Sequence, residues 1–168
     1  NMLGMGGSAV LSVALGAKDE KRAKNAAAFV TYASLFLGIL AAAVMLFFMN
    51  PILALFGANA ETYEFARGYT FHISYGAPFI IWSAAASFIV RAEGASKEAM
   101  VGSMIGTIAN IVLDPIFISV LDQGTAGAAI ATTIGNVLAS VYYLWYFLKK
   151  SRVLSIRWRD FTVRQGIL

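Results

Sequence analysis

Asn110 and Asp114 lie four residues apart in the string NIVLDPIFI, with Pro115 directly behind the carboxylate. Four residues is close to one helical turn, so an α-helix brings the amide and the carboxylate onto one face. In apolar surroundings such an aspartate has two uses. Protonated, it carries a proton and releases it when the site opens to water. Ionised, it ligates a small cation such as Na+, helped by neighbouring amide and hydroxyl oxygens. Pro115 removes one backbone hydrogen bond and crowds the Ile111 carbonyl, which weakens the helix beside the carboxylate. Transporters use interrupted helices of this kind as ion sites and as moving parts.

The setting of that string decides what the carboxylate costs. The chain has 168 residues, 59% of them hydrophobic and only 13% charged, with a mean hydropathy of +0.71. Soluble domains carry about 45–50% apolar and about 25% charged residues, so this is an all-α polytopic membrane protein. A spanning helix needs about 20 apolar residues. Four complete candidates run from about Ala26 to Met49, Tyr69 to Val90, Met100 to Val120 and Ala126 to Phe147. Residues 2–15 are too short and read as the end of a further helix, closed by Gly16 in a C-cap position. Asn50-Pro51 marks the end of the first complete span, Gly76-Ala77-Pro78 marks a kink within the second, and Ser96 is an N-cap candidate with Glu98 in the first turn.

Twelve of the thirteen basic residues fall in alternate segments: Lys18, Lys21, Arg22 and Lys24; Arg91 and Lys97; Lys149, Lys150, Arg152, Arg157, Arg159 and Arg164. Arg67 alone lies on the other side. The positive-inside rule makes these loops cytoplasmic and the protein a multi-pass component of the cell membrane. The net charge of +4 therefore reports topology rather than nucleic-acid binding. There is no cysteine and one histidine, which excludes disulfides and thiolate metal sites and leaves little for a zinc or Ser/His centre. His72 reads as an interfacial histidine. GMGGSA at residues 4–9 matches a dinucleotide fingerprint in letters only, since no strand precedes it. An intramembrane aspartyl protease needs two membrane carboxylates, and only Asp114 lies within a span, so no enzyme activity is expected.

Polar residues line one face of each of the last two spans. Ser103, Gly106, Thr107, Asn110 and Asp114 form one stripe, with Met104, Ile105, Ile108, Ile111 and Val112 facing away. Thr125, Ala129, Thr132, Asn136, Ser140 and Tyr143 form the other. The short LDQGTAG link makes the two helices antiparallel neighbours. With Gln123 at the tip, Asp114 and Thr132 both lie about 13 Å from it at about 1.5 Å per residue, so Asn110, Asp114 and Thr132 meet at one depth. Small and hydroxylated stripes often serve only close helix packing, the simpler account of Ser103, Gly106, Thr107 and Ser140. Packing does not need a carboxylate, which costs about 2.5–3.5 kcal/mol even on insertion scales. Tyr75, Phe79 and Trp82 follow one helical face around Pro78; such a stripe is usually packing, but it suits a cavity for flat organic cations. Asn136 is a further cavity-lining candidate.

RAEGASKEAMVGSMIGTIANIVLDPIFI and GTAGAAIATTIGNV resemble the N-terminal half of the multidrug and toxic compound extrusion (MATE) transporters, as do GMGGSAVLSVALGAKDEKRA and VLSIRWRDF. The resemblance implies part of a twelve-helix, two-lobe protein that exchanges organic cations for Na+ or H+. Residues 1–150 would be part of the N-terminal lobe, from the end of its second helix through its sixth. Residues 151–168 would be the basic cytoplasmic linker toward a second lobe, and the first helix, with its own acidic residue, would be missing. Asn110, Asp114 and Thr132 match the family's ion-coupling positions, with Na+ as a candidate ligand of all three. No other cofactor is expected; the partners are membrane lipid, small organic cations and the rest of the same protein. Two rival readings are a lipid-linked oligosaccharide flippase of the same superfamily and a non-transporting membrane assembly subunit. The topology is checked by single cysteines in intact cells. Lys97→Cys is expected to react with an impermeant maleimide only after the membrane is opened, and Asp122→Cys without opening.

Overall fold

A computed structural model describes residues 2–59 and 61–151. The chain forms α1 (Met2–Gly16), α2 (Glu20–Phe47), α3 (Met49–Leu55), α4 (Tyr63–Ala92), α5 (Ser96–Pro115), a π-helical turn (Ile116–Val120) and α6 (Gly124–Lys149). Four of these are long and apolar enough to cross a membrane: α2, α4, α5 with its π turn, and α6. No strand occurs among the described residues. The all-α polytopic bundle is as expected, but several element ends differ from the sequence reading.

The helices extend into the charged loops because those loops supply caps. Asp19 is the N-cap of α2 and its side chain accepts from the Arg22 N–H at 3.0 Å, so Glu20 to Lys24 are helical rather than loop. Gly16 does not cap α1. The left-handed residue is Lys18 (φ 56°), whose N–H bonds the Leu15 carbonyl at 3.1 Å while Asp19 N–H reaches Ala14 at 2.9 Å, the paired bonds of a Schellman end. Asn50-Pro51 does not end α2, which stops at Phe47. It sits in the first turn of the short α3, where a missing N–H costs nothing. Ser96 is the first residue of α5, and Ala95 is the N-cap, with no side-chain cap bond. Pro78 lies inside a single continuous α4.

Among the described residues α4 is the hub, touching α1, α2, α3, α5 and α6, whereas α5 packs on α6, α4 and its own π turn alone. The core is rich in alanine and gathers at the basic-loop ends of the helices. Leu11 and Ala14 of α1, Ala27 and Val30 of α2, Ala85, Ile89 and Val90 of α4, and Tyr143 and Phe147 of α6 are all buried. Lipid tails are as apolar as leucine, so close van der Waals fit rather than hydrophobic burial drives such contacts, and small residues permit it. Outward-facing Phe36, Ile39 and Leu40 of α2 and Ile108, Ile111 and Val112 of α5 stay exposed.

The Gly76–Pro78 stretch is a crossing point of three helices. A Cβ on Gly38 of α2 would lie 2.6 Å from the Pro78 Cα, and one on Gly76 would collide with the Thr133 side chain of α6. Backbone cannot yield as a side-chain tip can. Gly38→Val is therefore expected to destabilise the bundle by about 1–3 kcal/mol, the usual cost of overpacking. Thermal unfolding of the purified protein in detergent checks this.

Candidate functional site

Pro115 has no N–H to give the Ile111 carbonyl, and the α-helical register of α5 stops at this residue. The chain continues as a π-helical turn in which Leu121 N–H bonds the Ile116 carbonyl at 2.9 Å. The hairpin then closes through Asp122 (φ 50°) and Gly124 (φ 52°), with Gln123 N–H on the Phe117 carbonyl at 3.1 Å. The start of α6 presses against this turn: a Cβ on Gly127 would lie 2.7 Å from the Phe117 carbonyl oxygen. Further along, a Cβ on Gly135 would lie 2.6 Å from the Gly106 carbonyl oxygen. Two backbones in contact at Gly106 and Gly135 hold the side chains one turn away at hydrogen-bond distance.

Those side chains are Asn110 and Thr132. The donors and acceptors around it assign the Asn110 amide. Its NH2 donates to Asp114 Oδ2 at 3.0 Å, and its oxygen accepts from the Thr132 hydroxyl at 3.1 Å and the Thr132 backbone N–H at 3.2 Å. Asp114 Oδ1 is sealed from solvent and has no hydrogen-bond partner. Buried polar atoms are nearly always paired, so Asp114 Oδ1 is open to a further partner, whether a water, a proton or a cation. The carboxylate, amide and hydroxyl oxygens are all hard ligands, but in this orientation the amide presents its NH2 rather than its oxygen to Asp114. Among the described residues no group of three His, Asp or Glu side chains gathers, so the site rests on one carboxylate.

Asn110 and Thr132 also line a cleft of about 580 Å³ between α4, α5 and α6, together with Ser83, Arg91, Asn136 and Tyr143. The Ser83 hydroxyl, buried on α4, donates to Asn136 Oδ1 at 2.9 Å, and Asn136 Nδ2 donates to the Thr132 carbonyl at 2.9 Å. A hydrogen-bonded path thus runs from Asp114 through Asn110, Thr132 and Asn136 to Ser83. Arg91 stands at the basic-loop end, its guanidinium 5.9 Å from the Phe88 ring centre.

The structure therefore brings Asn110, Asp114 and Thr132 together and sets Asn136 on the cleft wall. The aromatic candidates Tyr75, Phe79 and Trp82 do not line this cleft. Tyr75 and Phe79 are exposed on the outside of α4, and Trp82 packs edge-on against Phe147. His72 bonds the Gly68 carbonyl at 2.7 Å through Nδ1. The two stripes divide. Ser103 and Thr107 bond carbonyls of their own helix. The α6 stripe reaches across helices: Thr125 bonds the Phe65 carbonyl at 3.0 Å, and Tyr143 the Ala99 carbonyl at 2.8 Å. Ser83 was missed by sequence reasoning; a lone serine in an apolar span gives no periodic signal.

The family model described as MatE matches residues 1–116. The chain belongs to the MatE family. A curated relative, multidrug export protein MepA of Staphylococcus aureus, is 36% identical over 156 residues, covering 93% of this chain and 35% of its own length. An inward-facing conformation of a multidrug resistance MATE family transporter of the MOP superfamily superposes with a TM-score of 0.91 at 35% identity, covering 98% of this chain and 38% of that one. A MOP superfamily transporter from Pyrococcus furiosus, whose structure is described as having a binding pocket of reverse polarity that suggests a different function, superposes at 0.90 and 34% identity, covering 98% of this chain and 37% of that one. The chain thus spans about a third of the length of the relatives it matches.

Within this MatE bundle the Thr132 hydroxyl is an interhelical partner, and such bonds contribute about 0.6 kcal/mol on average and up to about 1.7 kcal/mol in membranes. Thr132→Val is expected to lower stability within that range, by about 0.6–1.7 kcal/mol, with Thr132→Ser closer to the parent. Thermal unfolding in detergent checks both.

Proposed function

We propose that the chain is part of a secondary active multidrug efflux transporter of the cytoplasmic membrane, exchanging organic cations for Na+ or H+, with Asp114 as the coupling carboxylate. The observation that carries this reading is Asp114 Oδ1, buried without a partner beside Asn110 and Thr132. An intramembrane carboxylate left in that state is costly, and loading by a proton or Na+ relieves it. The multidrug export activity named for the MepA relative supports the same conclusion.

Loading at Asp114 would act beside the cleft, because the Asn110 amide joins the carboxylate to Thr132 on the cleft wall.

A flippase for an anionic lipid-linked cargo is the second reading, favoured by Arg91 on the cleft wall and by the likeness to the reverse-polarity transporter. One experiment addresses both. In a full-length transporter carrying this segment, Asp114→Asn keeps the shape and removes the charge. Cation-driven efflux of a fluorescent organic cation is expected to fall to background while Arg91→Gln retains it. Efflux that survives Asp114→Asn at normal expression overturns the coupling assignment.

A further inference from the structure

The string RAEGASKEAM gives the cleft only Arg91, yet it builds a second constellation at the basic-loop end of the bundle. Gly94 (φ 89°) closes α4 in the left-handed region. Its N–H bonds the Arg91 carbonyl at 2.9 Å and the Ala95 N–H the Val90 carbonyl at 3.2 Å. This sharp end turns α4 into α5 in three residues and sets Glu93 against α6. Glu93 Oε2 accepts from the Tyr146 hydroxyl at 2.8 Å, and Oε1 accepts from the Ser151 hydroxyl at 2.8 Å. One carboxylate thus holds residues on both sides of Lys149, where α6 ends.

Two further contacts bind the same parts. The Tyr143 hydroxyl donates to the Ala99 carbonyl at 2.8 Å, and its ring occupies the space a Cβ on Gly102 would need. Lys150 Nζ meets Glu98 Oε1 at 2.9 Å, and that hydrogen bond raises the ammonium above its ordinary pKa. Both partners of this last pair reach solvent, so it contributes less than the half-buried Glu93 bonds. Tyr143, Tyr146 and Lys150 are spaced three and four apart, on one face of the helix, and all dock on the same α4–α5 turn.

We propose that Glu93 is a positioning residue for transport. It locks the end of α6 to the α4–α5 turn, so that the hairpin bearing Asn110, Asp114 and Thr132 and the chain leaving at Ser151 move as one body. The inference rests on the transporter reading above and on the expectation that residues 151–168 form the linker toward a second lobe. A slack joint at Ser151 lets the lobes move without dragging the coupling hairpin, which slows turnover and leaves binding alone.

The test uses a full-length transporter carrying this segment, reconstituted in vesicles. Glu93→Ala, and separately Tyr146→Phe combined with Ser151→Ala, are expected to lower the maximal efflux rate of a fluorescent organic cation several-fold. The half-saturating cargo concentration and the half-saturating ion concentration are expected to stay at parent values. Adding the two hydroxyl deletions to Glu93→Ala is expected to change nothing further, because the same bonds are already lost. Glu93→Gln, which keeps one acceptor oxygen, is expected to recover part of the rate. If Glu93→Ala fails to accumulate, the near-isosteric hydroxyl deletions carry the test. Variants that transport at the parent rate, or whose cargo and ion affinities fall in step with the rate, overturn the lock. A parent protein that moves no organic cation overturns the transporter reading as well; a parent that does, with variants at its rate, overturns the lock alone.

Discussion

A carboxylate inside a membrane has no water to solvate it, and its neighbours must be arranged around that fact. Among the described residues Asp114 sits on a spanning helix of which only Ala99 and Gly102 are buried. Within this segment its surroundings come from Asn110 on its own helix and, through Asn110, from α6. The Gly106–Gly135 backbone contact brings Thr132 within reach of Asn110, and the Asn110 amide passes the contact on to the carboxylate. A side chain on either glycine would press the helices apart and take Thr132 out of reach of Asn110, the residue that bonds Asp114. The π turn beyond Pro115 completes the arrangement by turning the chain into α6 at the required depth.

The two ends of the bundle are built differently. At the basic-loop end, buried alanines, Ile89, Val90, Tyr143 and Phe147 close the helices together, and the Glu93 contacts fasten the last helix to the preceding turn. Toward the middle the packing opens into the cleft bordered by Ser83, Asn110 and Asn136. Close packing resists deformation, so the tight end can act as a rigid base while the polar path from Asp114 to Ser83 lies where rearrangement costs less. α4 spans both regions and contacts every other helix, which makes it the common support of base and cleft.

Residues of one chemical type serve different ends according to what they face. Ser103 and Thr107 satisfy their hydroxyls on carbonyls of their own helix, a local solution that leaves the helix free to present a smooth surface. Thr125, Thr132 and Tyr143 spend theirs on neighbouring helices. The spacing of the two stripes is alike, and only the distance to the next backbone separates packing from recognition.

The sequence by itself determined the class of the protein, its four spans, their charge asymmetry and the Asn110–Asp114 face, because hydropathy and helical periodicity are properties of local runs. It also placed Thr132 at the depth of Asp114, since a short hairpin ties depth to residue count. Helix ends were less legible: Lys18 and Ala95 took capping roles through backbone geometry that letters do not carry, whereas Asp19 caps α2 with a side chain of a preferred N-cap type. The exposure of Tyr75 and Phe79 on α4, the packing of Trp82 on Phe147, the Ser83–Asn136 bond and the docking of Tyr146 and Ser151 on Glu93 were decided by tertiary structure alone. The physical reason is rotational. Which face of a helix meets which neighbour depends on the crossing of two backbones at their glycines and alanines, and that crossing is set by the whole bundle rather than by any one span.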